Sequence, residues 1–462
     1  MPSATSPNSP SLTGDLARFL SGLAGGVDAR LLDLATGRLT DTVASMVFGA
    51  EQPWSRAVIE HAMAAGAVGR STVIGGSDTG TSPVMAALAN GASAHAFELD
   101  DVHEEAISHP GAVVVPAALA LAEERSCTGR DLLEAIVIGY EAMGRAGIAV
   151  GPAAHMLAGF HPTSMSGVFG SAAAAGRLLN FDAVKLNHAL GIASSFASGT
   201  MEFAASGGMA KRIHAGRAAE GGLTAALLAD RGFEGATDGL AGRYGFCRVF
   251  TDSPRVGLLT EDLGERWMLD EITVKPYAAC SDLHPMIQAA IELRRKYDLE
   301  VGDIDRIELD APTKAATQND MDGTTSVMAA QYSAQFNVAA ALIADPTDPA
   351  TYQPDRISDP AIGALQARVV SIQAAEEFDS TYAWKMGGRV SIHLVDGRTL
   401  SQTVHGQRGS MHDPLDSREL AAKFEGLTEG RCDSVLGGLL TSTIDAETLD
   451  DLTRVLRRVS PA

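Results

Sequence analysis

Four short runs of this chain gather ionisable side chains into patterns that could move protons or hold anions. The first, residues 95–110, places Asp100, Asp101, His103 and His109 ahead of a Gly-led apolar stretch. A histidine among carboxylates titrates near neutrality and can act as a general acid or base. The same four side chains could also take a divalent cation, but no second group of ligands stands elsewhere in the chain. A solvated, acidic helix end is the plainer alternative. The second run, Gly159–Thr163, sets His161 immediately before a stretch of small residues. That histidine either packs in a core or lies at the floor of a pocket beside a helix start, where free N–H groups favour an anion. The third, Ser206–Gly216, is Gly-rich and clusters Lys211, Arg212 and His214 on flexible backbone ahead of a helix expected over 218–232. Such a group is either a cradle for a carboxylate or phosphate, or plain surface charge. The fourth, Val274–Tyr277, carries Lys275 and Tyr277 and is followed by Cys280 and His284.

Acidic residues outnumber basic ones 57 to 36, for a formal charge of -21. That field repels nucleic-acid phosphates and anionic membrane surfaces, so neither is an expected partner. It would also repel an anionic substrate, so a carboxylate-binding enzyme on this chain must concentrate its few cations locally. The four cysteines, Cys127, Cys247, Cys280 and Cys432, are widely spaced with no C-x-x-C pair, which points to reduced thiols rather than a disulfide scaffold or zinc site. Met1–Ser11 is polar and Ser/Pro-rich, without the basic start and apolar core of a signal peptide. A cytoplasmic protein is expected. Dinucleotide, P-loop, H-E-x-x-H and G-x-S-x-G signatures are missing from the sequence, so NAD, ATP, zinc-protease and serine-hydrolase readings lose their usual support.

At 462 residues the chain is too long for one ordinary core, and two folding units are expected. From Leu12 to about Asp252, Ala, Leu, Gly and Ser recur with helical periodicity. Thr128 and Asp131 mark a capped helix start, and 165–179 is a nearly uncharged stretch of small residues that should form a buried helix. After about Leu269 the pattern changes. Ile304–Ala311 alternates, as do Val390, Ile392 and Leu394 before the Asp396-Gly397 turn and a further strand over 399–404. Residues 278–297 and 333–345 look helical, and Asp416 with Glu419 forms a capping box that opens the C-terminal helices. The expected fold is mainly α: a large all-helical domain built from both chain ends (12–268 and 405–462), a smaller inserted α+β domain (269–404), and a flexible tail (1–11).

Taken together, the runs NGASAHAFELDDVHEEAISHPGAVVVPAALALAE, GFHPTSMSGVFGSAAAAGRLL, AKRIHAGRAAEGGLTAALLADRGF, KPYAACSDLH and QYSAQFNVAAALI resemble, in order, the signature blocks of the MmgE/PrpD family. That family holds 2-methylcitrate dehydratases, cis-aconitate decarboxylases and iminodisuccinate epimerase. The resemblance implies a helical domain and an α+β domain, a site in the cleft, a homodimer, and proton transfer at a carbon next to a carboxylate without metal or organic cofactor. It matches Asp100 and Asp101 to the family's paired acids, His109 and His161 to its proton-transfer histidines, and Lys211 and Lys275 to its two lysines. Arg212 joins the lysines in binding substrate carboxylates, while His103, His214, Tyr277 and Cys280 complete the expected substrate-binding set. Three positions depart from the pattern: Glu98 where the acidic run often begins with Asp, Cys280 where the decarboxylases carry His, and Phe336 near their active-site Tyr. These departures count against decarboxylation, so the expected activity is a lyase dehydrating a citrate-like acid. Decarboxylation of an aconitate-like acid and epimerisation of a dicarboxylate are the alternatives. A non-catalytic carboxylate-binding relative is the alternative of another class.

Overall fold

The protein is described by a computed structural model covering residues 11–151, 159–203, 208–321 and 323–459. The expected tail, apart from Ser11, lies outside the described residues, as do Ser206 and Gly207 of the third run. The chain is mostly helical, with few strands. It separates into two units. One comprises the chain through Ala96, Asp100–Ile272 and the chain from Leu427; the other comprises Phe97–Leu99 and Thr273–Gly426.

In the first unit, helices Pro83–Ala94, Gly111–Arg125, Gly129–Val150, Pro162–Leu178 and Lys211–Asp230 pack on one another. Small residues let their backbones approach closely, and two crossings position the site. A Cβ on Gly216 would come within 2.2 Å of the Leu88 carbonyl oxygen, and one on Gly222 within 2.2 Å of the Val168 carbonyl oxygen. Helix Lys211–Asp230 is therefore pressed against both neighbours, an approach only glycine permits. Helix Gly129–Val150 starts at Thr128, which accepts a hydrogen bond from the Asp131 backbone N–H in a capping box. Helix Pro162–Leu178 is buried along nearly its whole length.

The Lys211 helix begins earlier than the expected 218. Lys211, Arg212 and His214 form its first turn, and all three are buried. The close packing at Gly216 explains this: the helix must already be formed there to fit against Leu88. Cations expected on flexible backbone are thus held on a rigid one.

The second unit carries a four-stranded sheet in the spatial order Val369–Ala374, Ile304–Ala311, Gly387–Leu394, Thr399–His405. The first pair is parallel and the other two are antiparallel. Gly397 takes φ 89 in the turn joining the last two strands, a conformation that suits glycine. Helices His284–Tyr297 and Ala334–Ile343 pack beside this sheet, and the Asp416–Glu419 capping box is present. The changeover back to the first unit falls after Gly426 rather than after residue 404. Residues following the last strand stay in the second unit because Arg408 pairs with Glu419 and its backbone N–H donates to the Gln288 side chain at 2.8 Å.

Candidate functional site

Four imidazoles gather in the first unit. His95 follows helix Pro83–Ala94, His109 precedes helix Gly111–Arg125, His161 caps helix Pro162–Leu178, and His214 sits in the first turn of the Lys211 helix. The His95 ring lies 5.0 Å from that of His109 and 5.6 Å from that of His161, centre to centre. His161 and His214 are 5.1 Å apart, with Phe203 edge-on to both. All four histidines are buried.

Hydrogen bonds decide which ring nitrogens carry protons. His109 Nδ1 lies 2.7 Å from the Asp101 carbonyl oxygen, which can only accept, so Nδ1 donates. His95 Nδ1 lies 2.6 Å from Asp100 Oδ2 and donates to that carboxylate. His161 and His214 meet Nδ1 to Nδ1 at 3.1 Å, so one must donate and the other accept. Burial, reinforced by the surrounding His95, Lys211, His214 and His109, pushes His161 well below the usual histidine range. Burial, then His95 and Lys211, pushes His214 down to about 4. At neutral pH this pair is therefore uncharged, with opposite tautomers.

Asp101, matched with Asp100 in the sequence, turns elsewhere. Its carboxylate accepts from Tyr140 Oη at 2.7 Å and from the Gly111 backbone N–H at 2.8 Å, and burial raises it to about 6. Asp101 thus ties down the start of the helix after His109 and, through its carbonyl, orients His109. Neither Tyr140 nor His95 was singled out by its motif. Both sit in helical, Ala-rich surroundings where the plain reading is core. His103 also lies apart: its Nε2 is 3.4 Å from Glu271, which pairs with Arg266, and burial lowers its pKa. Arg212 stacks over the Trp54 ring at 5.2 Å.

The second unit holds the remaining predicted residues. Lys275 Nζ is 3.2 Å from Glu98 Oε2, and both side chains are almost wholly buried. Glu98 adopts φ 57, a strained value for a non-glycine residue. Its segment is pinned where Tyr332 Oη donates to Glu98 Oε1 at 3.3 Å and Gln331 Nε2 donates to the Phe97 carbonyl at 2.9 Å. Phe336, which stands near the expected tyrosine position, packs against Tyr352; the phenol that reaches Glu98 comes from Tyr332, at the end of the preceding helix Val327–Tyr332. His284 donates from Nε2 to the Ala279 carbonyl at 3.2 Å and is lowered to about 3 by burial and Lys275. Its ring packs against Tyr277, whose hydroxyl burial keeps protonated. Cys280 Sγ lies 3.7 Å from Asp282, and burial with that carboxylate pushes the thiol up to about 11. Asp282 in turn binds Lys314 at 2.7 Å and Tyr382 at 3.2 Å.

Among the described residues, His95, Asp100 and His109 are the group whose ligand atoms could converge on a metal, all within 4.8 Å of one another. The 2.6 Å separation of His95 Nδ1 and Asp100 Oδ2 is that of a charge-assisted hydrogen bond. No helix among the described residues is long and apolar enough to cross a membrane, and the four cysteines are unpaired.

Family models described as the MmgE/PrpD N-terminal and C-terminal domains match residues 14–259 and 277–436. Similar proteins include a cis-aconitate decarboxylase of Aspergillus terreus, 30% identical over a 482-residue alignment spanning 99% of this chain and 96% of that protein. A cis-aconitate decarboxylase-like protein of Aspergillus oryzae is 28% identical, spanning 97% of each. The Homo sapiens cis-aconitate decarboxylase is 28% identical over 90% of this chain and 87% of its own length.

Proposed function

The chain belongs to the MmgE/PrpD family, and on that premise we propose that it is a lyase of small polycarboxylates that works by acid–base chemistry on an aconitate-like acid. The observation that carries this reading is the cluster of His95, His109, His161 and His214 beside Lys211. Burial, then the neighbouring His95 and Lys211, keep the His161–His214 pair neutral, and a neutral imidazole at pH 7 is ready to take a proton. His109, held in place where its Nδ1 donates to the Asp101 carbonyl, is the other histidine that the family pattern assigns to proton transfer. Lys211 supplies positive charge for a substrate carboxylate and for the enediolate-like charge left when carbon loses carbon dioxide or a proton, which an imidazolium formed in the cluster can then quench by giving carbon a proton. Lys275, paired with Glu98 in the second unit, is the other cation that the family pattern assigns to carboxylate binding.

Loss of carbon dioxide leads over loss of water. The expected preference for dehydration draws no support from the similar proteins, which bear the name cis-aconitate decarboxylase at about the same identity across nearly the whole chain. The departures at Glu98, Cys280 and Phe336 count the other way. Tyr332 supplies a phenol to Glu98 despite Phe336, which weakens one of those three objections. We take the helical unit and the sheet-bearing unit as the two domains of the enzyme, and a homodimer as its working form.

The test is an NMR assay in D2O with cis-aconitate, citrate and 2-methylcitrate. Release of carbon dioxide from cis-aconitate with deuterium incorporated at carbon is the expected result. Dehydration of either citrate would keep the lyase and change its branch. Deuterium exchange without net loss would make the protein an isomerase, and inertness toward all three acids would favour a non-catalytic carboxylate binder.

A further inference from the structure

Tyr140 has no place in the scheme above, yet the aim of His109 depends on what it holds. The phenol is wholly buried on helix Gly129–Val150, and its Oη donates to Asp101 Oδ2 at 2.7 Å. The other carboxylate oxygen of Asp101 accepts from the Gly111 backbone N–H at 2.8 Å, and the Asp101 carbonyl accepts from His109 Nδ1 at 2.7 Å. That carboxylate fits because residue 111 is glycine: a Cβ there would come within 2.8 Å of Asp101 Oδ1 and 2.6 Å of Thr42 Oγ1. Asp101 therefore joins the His109 ring, the start of the next helix and a buried phenol. We infer that Tyr140, acting through Asp101, is a positioning residue that fixes the His109 ring for proton transfer.

A carbonyl orients a ring only as well as it is itself oriented. Asp101 belongs to no helix or strand, so the direction of its carbonyl is set by what its side chain grips. Tyr140 supplies the rigid end of that grip, because its helix starts at the Thr128 capping box and is buried along nearly its whole length. The same helix meets the loop again about two turns further on, where a Cβ on Gly147 would come within 2.7 Å of the Ala106 Cβ. Between the two contacts the His103 and Ser108 backbones exchange hydrogen bonds at 2.8 and 3.3 Å, and the His109 backbone N–H donates to Thr163 Oγ1 at 3.2 Å. Removing the Tyr140 hydroxyl leaves all of these in place. What goes is the tie that sets Asp101, and with it the aim of the imidazole. A misplacement of about 1 Å in a reacting group costs on the order of a hundredfold in rate.

The catalytic role of Tyr140 rests on the acid–base reading above, and two separate readouts keep the two apart. Tyr140→Phe keeps the ring and deletes one oxygen. With cis-aconitate its kcat should fall about tenfold to a hundredfold while KM stays nearly unchanged. In protein labelled with 15N-histidine, the His109 Nδ1–H should exchange with solvent about tenfold faster than in the wild type. Combined with Asp101→Asn, Tyr140→Phe should add little to the loss that Asp101→Asn causes alone, because both break one chain of contacts. A folded Tyr140→Phe protein with kcat within about twofold of wild type would overturn the proposal. So would a lower kcat with His109 Nδ1–H exchange unchanged, or losses that multiply in the double variant. Asp101→Asn alone carries the same expectation for His109 exchange and serves if Tyr140→Phe fails to fold. Wild-type protein inert toward every polycarboxylate would sink the lyase reading instead, and the exchange measurements would still decide whether Tyr140 fixes His109.

Discussion

The predicted lysines and histidines of the two units sit in opposite kinds of surroundings. In the first, imidazoles are crowded together beside Lys211, and burial, then His95 and Lys211, keep His161 and His214 uncharged. In the second, Lys275 is matched with Glu98, and Lys314 with Asp282, in direct ion pairs. The first arrangement suits groups that must gain and lose protons, since the neutral form is the resting state and the charged form is reached only in passing. The second suits a fixed charge, since each cation has its carboxylate and little reason to titrate. Proton transfer and charge placement are thus served by different surroundings within one chain.

Four measurements probe this contrast. The largest effect is expected at the neutral cluster: His161→Ala and Lys211→Ala should each lower turnover by about a thousandfold or more while the circular dichroism spectrum stays native. Near-wild-type rates in either would remove that residue from the chemistry. Next, Glu98→Gln should destabilise the protein by about 3 kcal/mol in urea unfolding, because it leaves the Lys275 ammonium buried without its carboxylate. A loss below about 1 kcal/mol would mean that the pair does not hold a fixed charge.

The third concerns acid. His214 falls from 6.5 to about 4 in the folded protein, and His284 from 6.5 to about 3. Below pH 6.5 the unfolded chain therefore binds more protons at these positions than the folded one, and stability rises with pH. The contribution is fully present above 6.5 and is lost as pH falls toward 4 and 3. His214→Gln and His284→Gln should each flatten the melting temperature against pH over that window, and an unchanged slope in both would refute burial as the cause. The smallest effect belongs to Cys280, whose thiol stands at about 11. Iodoacetamide should leave it unlabelled at pH 7.5, and Cys280→Ser should change stability by less than about 1 kcal/mol. Rapid labelling would make it a reactive thiol and set it apart from the fixed-charge pattern around it.

Much of this was legible in the residues themselves. Helical periodicity and the Thr128–Asp131 box announced the helices, alternation at 304–311 and the Asp396-Gly397 turn announced the sheet, His109, His161 and Lys211 stood out by motif, and Lys275 came from the family resemblance. Those signals are local: each depends on neighbours within a turn or a strand, which the linear order preserves. Other features depend on partners far apart in sequence. His95 reads as one more polar residue at a helix end until Asp100, His109 and His161 fold around it. Asp100 and Asp101 are adjacent in the chain, yet one faces the imidazoles and the other faces Tyr140, a divergence no spacing rule foretells. His103, from the same run, is drawn instead to Glu271, 168 positions later. The residue types present and the family to which they belong can be read from the order of the amino acids. Which of them are neutral, which are paired and which face one another is set by burial and long-range contact, because pKa and tautomer answer to surroundings in space.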